Sequence, residues 1–337
     1  YLSKRSGRNR VSTFTQVPED ILNKDKVFEL LSFEIIGKEK HLKKIKEIIN
    51  DSFENSTTRV VLIQAEAGLG KTKLQLEAVS HALTKESLCL AVRCTEVISS
   101  QPYQVLSANL ERLMKSLEDG ARRIIDSLSE AELSCLIELE PAFQKFSSRL
   151  IEKLKLDEKS SRYHLFKALA ELMIKLSQQK PLFITFDNFQ WVDSATLSLI
   201  NYLLSNEVNE KICIICAFRN SELIRRFDEN KILKQLYEQL QQNQKSFRVE
   251  LKPLSSEETK KMINSIFDGL EFDEKLNQLF YSKTEGNPYF IEESLKKLVE
   301  NGSIYFKNEK WQKKEIKDED ISLGIKEIIQ DKLKHMD

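Results

Sequence analysis

The feature that most constrains this chain is the run Val60-Val61-Leu62-Ile63-Gln64-Ala65-Glu66-Ala67-Gly68-Leu69-Gly70-Lys71-Thr72. Its opening residues, β-branched and aliphatic without alternation, read as a strand buried on both faces. The strand passes into a loop of small residues closed by Gly-Lys-Thr, then into the helical pattern Lys73-Leu74-Gln75-Leu76-Glu77-Ala78. That order is the context a phosphate-binding loop requires. Gly68 and Gly70 let backbone N–H groups curl around an anion with no Cβ in the way. Lys71 carries a point charge to the β- and γ-phosphates, and the Thr72 hydroxyl can ligate Mg²⁺. Ala67, Leu69 and Lys73 complete the loop and the first helical turn, whose free N–H groups add partial positive charge. The pattern G-x-x-x-x-G-K-[ST] departs at its first position, which here is Ala65. The tripeptide alone proves little; the strand before it, the helix after it and an acid-ended strand downstream make it specific.

Four more strands follow. Leu88-Cys89-Leu90-Ala91-Val92 is the second, and Pro181-Leu182-Phe183-Ile184-Thr185-Phe186-Asp187 the third, with a carboxylate at its end. Lys211–Phe218 is the fourth, running into Arg219, and Ser246–Leu251 the fifth, after a charged helix over Asp228–Gln242. Strands joined by helical crossovers predict a doubly wound parallel sheet, a P-loop α/β fold. Upstream, Phe33 to Asn50 reads as a turn and an amphipathic helix with apolar Leu42, Ile45, Ile48 and Ile49. From Tyr103 to Gln179 the pattern is helical throughout, with a capping box at Ser129…Glu132, so residues 101–180 form a helical insertion. Beyond Pro253 the strand signal stops. Ser255…Glu258 caps one helix, a second follows Phe272, and a third runs from Gly286-Asn287-Pro288-Tyr289-Phe290 to about Glu300. A hairpin over Gly302–Trp311, turning near Asn308, and a last helix over Ile321–Met336 follow. The expected organisation is a linker at 1–33, a nucleotide domain at 34–252, a helical lid at 253–300 and a winged-helix-like segment at 301–337.

Charge narrows the function. Lys plus Arg and Asp plus Glu each number 52 in 337 residues, which argues against a dedicated nucleic-acid or membrane-surface protein. The longest apolar runs are strand-length, so neither a membrane span nor a signal peptide is expected. The five cysteines lie in apolar segments. Cys213 and Cys216, three apart on a strand, face opposite sides and read as buried free thiols. This points to a reducing, cytoplasmic setting. Lys4, Arg5, Arg8 and Arg10 precede the first acid, Glu19, and read as a solvated basic linker. The chain begins at Tyr1 without methionine and is read as a piece of a longer protein.

At the carboxyl edge of such a sheet, Asp187 is the candidate Mg²⁺-organising acid. The next position, where a second acid would orient water, is Asn188; an amide holds water but cannot take its proton. Asp193 is either a substitute or a helix cap. Arg219 can read a γ-phosphate through its planar fork. Trp191 reads as core, and Pro288 fits the first position of a helix. His41, His81, His164 and His335 show no ligand spacing, so Mg²⁺ bound with nucleotide is the one metal expected.

Taken together these segments resemble the AAA-like ATPase modules of signal-transduction NTPases with numerous domains (STAND proteins), of the kind attached to protein kinases, nucleotide cyclases and transcription regulators. Ile35-Ile36-Gly37-Lys38-Glu39 is similar to that family's opening box, with lysine where arginine is usual. Phe186-Asp187-Asn188-Phe189-Gln190-Trp191-Val192-Asp193 resembles its acid–Trp–Asp segment, which typically has two acids in a row. Ala217-Phe218-Arg219 resembles its sensor arginine. Leu251-Lys252-Pro253-Leu254-Ser255 and Gly286-Asn287-Pro288-Tyr289-Phe290 resemble its lid signatures. The resemblance implies an ATP/ADP-dependent switch, with Ile36, Gly37 and Pro288 against the base; the departures at Asn188 and Ala65 point to slow Mg²⁺-dependent hydrolysis without loss of binding. Implied partners are adenine nucleotide, other domains of the same chain and other proteins, with nucleotide-dependent self-association left open. Two alternatives stand: a DNA-associated initiator-type ATPase, using Lys307, Lys310, Lys313, Lys314 and Lys317 as a basic wing, and a scaffold that keeps nucleotide only as a structural ligand. Glu309, Glu315 and Asp318 dilute that wing, so DNA is not the expected partner.

Overall fold

The computed structural model of the protein describes residues 35–321 except 97–101, 118, 152–153, 155, 206–207, 268, 309 and 319. The basic stretch before Glu19 lies outside the described residues, as does the predicted last helix beyond Ile321. The described residues divide into two compact units, one spanning Lys38–Leu251 and the other holding 35–37 together with 252–321.

In the first unit five parallel strands, β1 (Arg59–Gln64), β2 (Leu88–Arg93), β3 (Leu182–Asp187), β4 (Ile212–Phe218) and β5 (Ser246–Glu250), form a sheet of order β2-β3-β4-β1-β5. The near-continuous apolar sequences of β1, β3 and β4 are explained by helices on both faces. Every residue of β4 is buried, as are five of the six in β3. Along β4, Ile214, Cys216 and Phe218 enter the large core on one face. Cys213 alternates to the other, as the period of a strand demands. All five cysteines are free thiols. Helix α1 (Glu39–Glu54) buries Ile45, Ile48, Ile49 and Phe53, and the Ser52 hydroxyl donates to Ile212 O at 2.9 Å, tying the helix to the start of β4. Helix α2 (Lys71–Thr84) follows the glycine loop.

Between β2 and β3 lie α3 (Gln104–Lys115), α4 (Asp119–Asp126), α5 (Glu130–Leu139), a 3₁₀ turn at Pro141–Phe146 and α6 (Glu158–Gln179). The predicted capping box closes α5, with Ser129 Oγ accepting from Glu132 N at 3.3 Å and Ser129 N donating to Glu132 Oε2 at 2.9 Å. The insertion is not helical throughout. The described residues between Ser147 and Asp157 are irregular, and there Asp126 accepts from Ser147 Oγ and Ser148 N, both at 3.0 Å. A second correction concerns the charged helix read over Asp228–Gln242. Here the chain forms α8 (Asn220–Glu229) and α9 (Lys231–Gln242), split at Asn230, whose side chain caps Leu233 N at 3.0 Å. Between β3 and β4, α7 (Ser194–Leu203) completes the unit.

The second unit contains α10 (Ser256–Ile266), α11 (Glu274–Thr284), α12 (Pro288–Glu300) and an antiparallel hairpin of β6 (Ile304–Lys307) and β7 (Lys310–Lys313). Ser255 and Glu258 form the expected capping box, and Asn308 at the turn has φ +53°, a conformation asparagine tolerates. Leu254, Ile263, Phe267, Phe280, Ile291, Leu295 and Trp311 build a core of their own, on which Ile36 packs. No described helix is long and apolar enough to cross a membrane.

Candidate functional site

The loop between β1 and α2 is anchored before it turns. Ala65 N donates to Phe218 O at 3.2 Å, and the Ala65 and Leu69 side chains are buried. Ala65 is not among the residues with positive φ, so alanine is unstrained where the common pattern has glycine. Gly68 and Gly70 favour glycine, at φ +82° and +89°, because residues with a side chain rarely adopt that left-handed backbone. Gly70 is also the residue on which α2 starts, so the free N–H groups of that helix open from the loop.

Lys71 is buried and donates from Nζ to Ala65 O at 2.6 Å and Glu66 O at 2.8 Å. Burial, and then the positive charge of Arg219, push its ammonium down to about 8, against the opposing pull of Glu66, Asp187 and Glu222. This electrostatic neighbourhood is the clearest sign that the predicted Lys71, Asp187 and Arg219 converge. The sheet explains why: β4 lies between β1 and β3, so all three residues fall on one carboxyl edge. Gln75, one turn into α2, fastens that helix to β3 through Thr185 Oγ1 at 2.7 Å and Phe186 O at 2.9 Å.

Asp187 Oδ1 accepts from Asn188 N at 2.9 Å, which fixes the carboxylate at the strand end. Asn188 itself takes φ +53° and opens a 3₁₀ turn over Phe189–Trp191. Asp193, a candidate to replace the missing acid, is committed to capping α7. It accepts from Thr196 N at 2.8 Å and Thr196 Oγ1 at 2.6 Å. Trp191 packs on the core, and the Arg226 guanidinium lies 5.5 Å from its ring centre.

Several participants escaped the sequence reading. Arg219 Nη1 donates to Glu222 Oε1 at 2.7 Å, Gln190 Nε2 donates to Glu222 Oε2 at 2.6 Å, and Gln190 Oε1 accepts from Arg219 N at 3.2 Å. Ser221 Oγ reaches back to Glu66 Oε2 at 3.1 Å. The available signal was the spacing of Arg219 and Glu222, which meet once α8 is recognised as a helix.

Mg²⁺, which a nucleotide site of this type implies, suits the donors at hand. The exposed Thr72 hydroxyl and the half-buried Asp187 carboxylate are hard oxygen ligands, as befits an ion held by few protein groups plus phosphate and water. Among the described residues, no three His, Cys, Asp or Glu side chains cluster as a metal site of their own.

The remaining predicted residues lie in the other unit. Gly37 takes φ +72°, and a Cβ there would meet Leu254 Cδ2 at 2.7 Å and Glu258 Oε1 at 2.8 Å. Pro288 is the first residue of α12, with Asn287 Oδ1 accepting from Tyr289 N at 3.1 Å.

Residues 34–215 match the family described as AAA ATPase domain. The match spans more than half of the chain. This protein belongs to the AAA ATPase domain family. No curated protein matches it. Among solved structures, the Walker-type ATPase of Pyrococcus abyssi aligns at TM-score 0.50 and 15% identity, over 92% of this chain and 79% of that one. The Orc1 protein of Aeropyrum pernix in complex with DNA aligns at 0.50 and 12%, over 93% and 71%. The Drosophila ORC bound to DNA aligns at 0.50 and 10%, over 97% and 72%. At these identities the likeness establishes the AAA domain's P-loop fold.

Proposed function

We propose that this AAA domain is an adenine-nucleotide switch of a larger signalling protein, binding ATP or ADP with Mg²⁺ and hydrolysing ATP slowly. The observation that carries the reading is Lys71, buried against two loop carbonyls among left-handed glycines, with Asp187 and Arg219 near enough to shape its charge. In this reading Gly68, Leu69, Gly70 and the α2 N-terminus receive the β-phosphate, with Ala67 and Lys73 beside it. Lys71 exchanges its carbonyl partners for phosphate oxygens. Mg²⁺, held by Thr72 and Asp187, would neutralise charge on the phosphates. Arg219 reads the γ-phosphate. Ile36, Gly37 and Pro288 contribute to the base site. Asn188 can hold a water but cannot accept its proton, and Asp193 is occupied as a cap; both features support slow turnover and a long-lived triphosphate state.

Calorimetric titration with ATP and Mg²⁺ tests this directly. Lys71→Ala should weaken ATP by about 3 kcal/mol, because a desolvated triphosphate loses its charge-assisted partner. Equal affinity in both proteins overturns the reading.

A DNA-associated initiator-type ATPase is the second reading, favoured by the fold shared with DNA-bound initiator proteins. Against it, Lys313 of the supposed wing donates to Glu271 O at 2.7 Å and lies over the Phe272 ring. Duplex binding with a steep salt dependence would favour this reading.

A further inference from the structure

Arg219 is not held as an isolated sensor. Its guanidinium and its backbone N–H belong to a closed ring of three residues drawn from three elements: Arg219 at the end of β4, Glu222 in the first turn of α8, and Gln190 in the 3₁₀ turn that follows Asp187. The two links to the Glu222 carboxylate are short, at 2.7 Å and 2.6 Å, and the third measures 3.2 Å. Gln190 is buried and uses both ends of its amide in the ring, oxygen to one partner and nitrogen to the other. It therefore fixes the carboxylate from the side opposite the arginine. Glu222 presents a full negative charge to one edge of the guanidinium and contributes to the field at Lys71.

We propose that Glu222 is the competing anion of the nucleotide site, a latch that a γ-phosphate must displace from Arg219 and a diphosphate cannot. This rests on the nucleotide-switch reading above and deepens it. A guanidinium binds carboxylate and phosphate through the same planar fork. A terminal phosphate arriving at Arg219 therefore meets a rival already in place. Exchange frees the Glu222 carboxylate from its strongest partner and loosens Gln190, one turn from Asp187. It also loosens the α8 turn, whose Ser221 is tied to Glu66 of the phosphate loop. One anion swap thereby reaches three elements. Glu222 acts through Arg219 and is a positioning residue, not a catalytic one.

The test is a ratio of affinities. Dissociation constants for ADP and a non-hydrolysable ATP analogue, each with Mg²⁺, are measured for the wild-type chain, Glu222→Gln, Arg219→Ala and the double variant. Glu222→Gln keeps the shape and removes the charge, so preference for the triphosphate should rise by about fivefold, the scale of a partly exposed ion pair. In the Arg219→Ala background the same change should leave the ratio unaltered. A purely structural role would weaken both nucleotides alike and leave the ratio untouched in either background, which overturns the latch. A reduced preference in Glu222→Gln, meaning that the carboxylate merely orients the arginine, overturns it too. Both failures leave nucleotide binding standing. Wild-type protein that binds neither nucleotide would bring down the underlying reading together with the latch.

Discussion

Gly70 and Gly286 are the same residue used for opposite ends. Both lie in left-handed backbone, at φ +89° and +69°. Around Gly70 a Cβ would meet nothing within 4 Å, whereas at Gly286 it would lie 2.0 Å from Leu254 O. In the phosphate loop, glycine sets a backbone direction and leaves a surface open. In the C-terminal unit it closes a gap so that one chain segment can touch another, with Leu254 N donating to Gly286 O at 2.8 Å. Gly37 presses on Leu254 from elsewhere in the sequence. A motif glycine is thus no evidence of a ligand by itself; what a Cβ would strike separates the two uses.

The largest effect expected from this contrast is at Gly286. Gly286→Ala must displace backbone, not a side-chain tip, and should cost about 4 kcal/mol. Hydrogen exchange across α10–α12 should show the unit opening, and protection within about 1 kcal/mol of wild type would refute the packing role. Next comes the loss of ATP affinity in Lys71→Ala, which leaves the loop's backbone intact and so separates charge from shape. Third, Asn188→Asp restores an acid beside Asp187. Aspartate tolerates the left-handed φ of that position while glutamate strains it, so Asp is the informative substitution. Steady-state phosphate release should rise at least about tenfold without tighter binding; no change would mean that the base comes from elsewhere. The smallest effect is Gly70→Ala, where conformation alone is penalised, by about 1 kcal/mol in thermal or chemical unfolding. A cost equal to that of Gly286→Ala would erase the distinction.

The sheet was legible because strands covered on both faces have nowhere to put polar residues, so Val60–Ile63 and Ile212–Phe218 announce themselves. The capping boxes at Ser129 and Ser255 were legible because their partners are three residues away. The division of α8 from α9 was not. Its signal is a single asparagine inside an otherwise continuous amphipathic pattern, and Asn230 can sit in a helix or cap one. The phosphate loop and Asp187 could be read from local order. The ring of Gln190, Arg219 and Glu222 could not, since residues about thirty apart meet only once β3 and β4 pair. The use of Gly37 and Gly286 was hidden for the same reason: only the folded chain brings both to Leu254.

The sheet order has a mechanical consequence. Because β4 separates β1 from β3, Lys71, at the start of the helix that follows β1, and Asp187, at the end of β3, are carried by strands that never touch. A ligand reaching both is stitched across two seams, β1–β4 and β4–β3, with Arg219 at the middle stitch. Prying open either seam pulls the ligand's anchors apart. On the proposed reading, an occupied site resists shear at both seams, because the ligand's anchors lie on either side of β4.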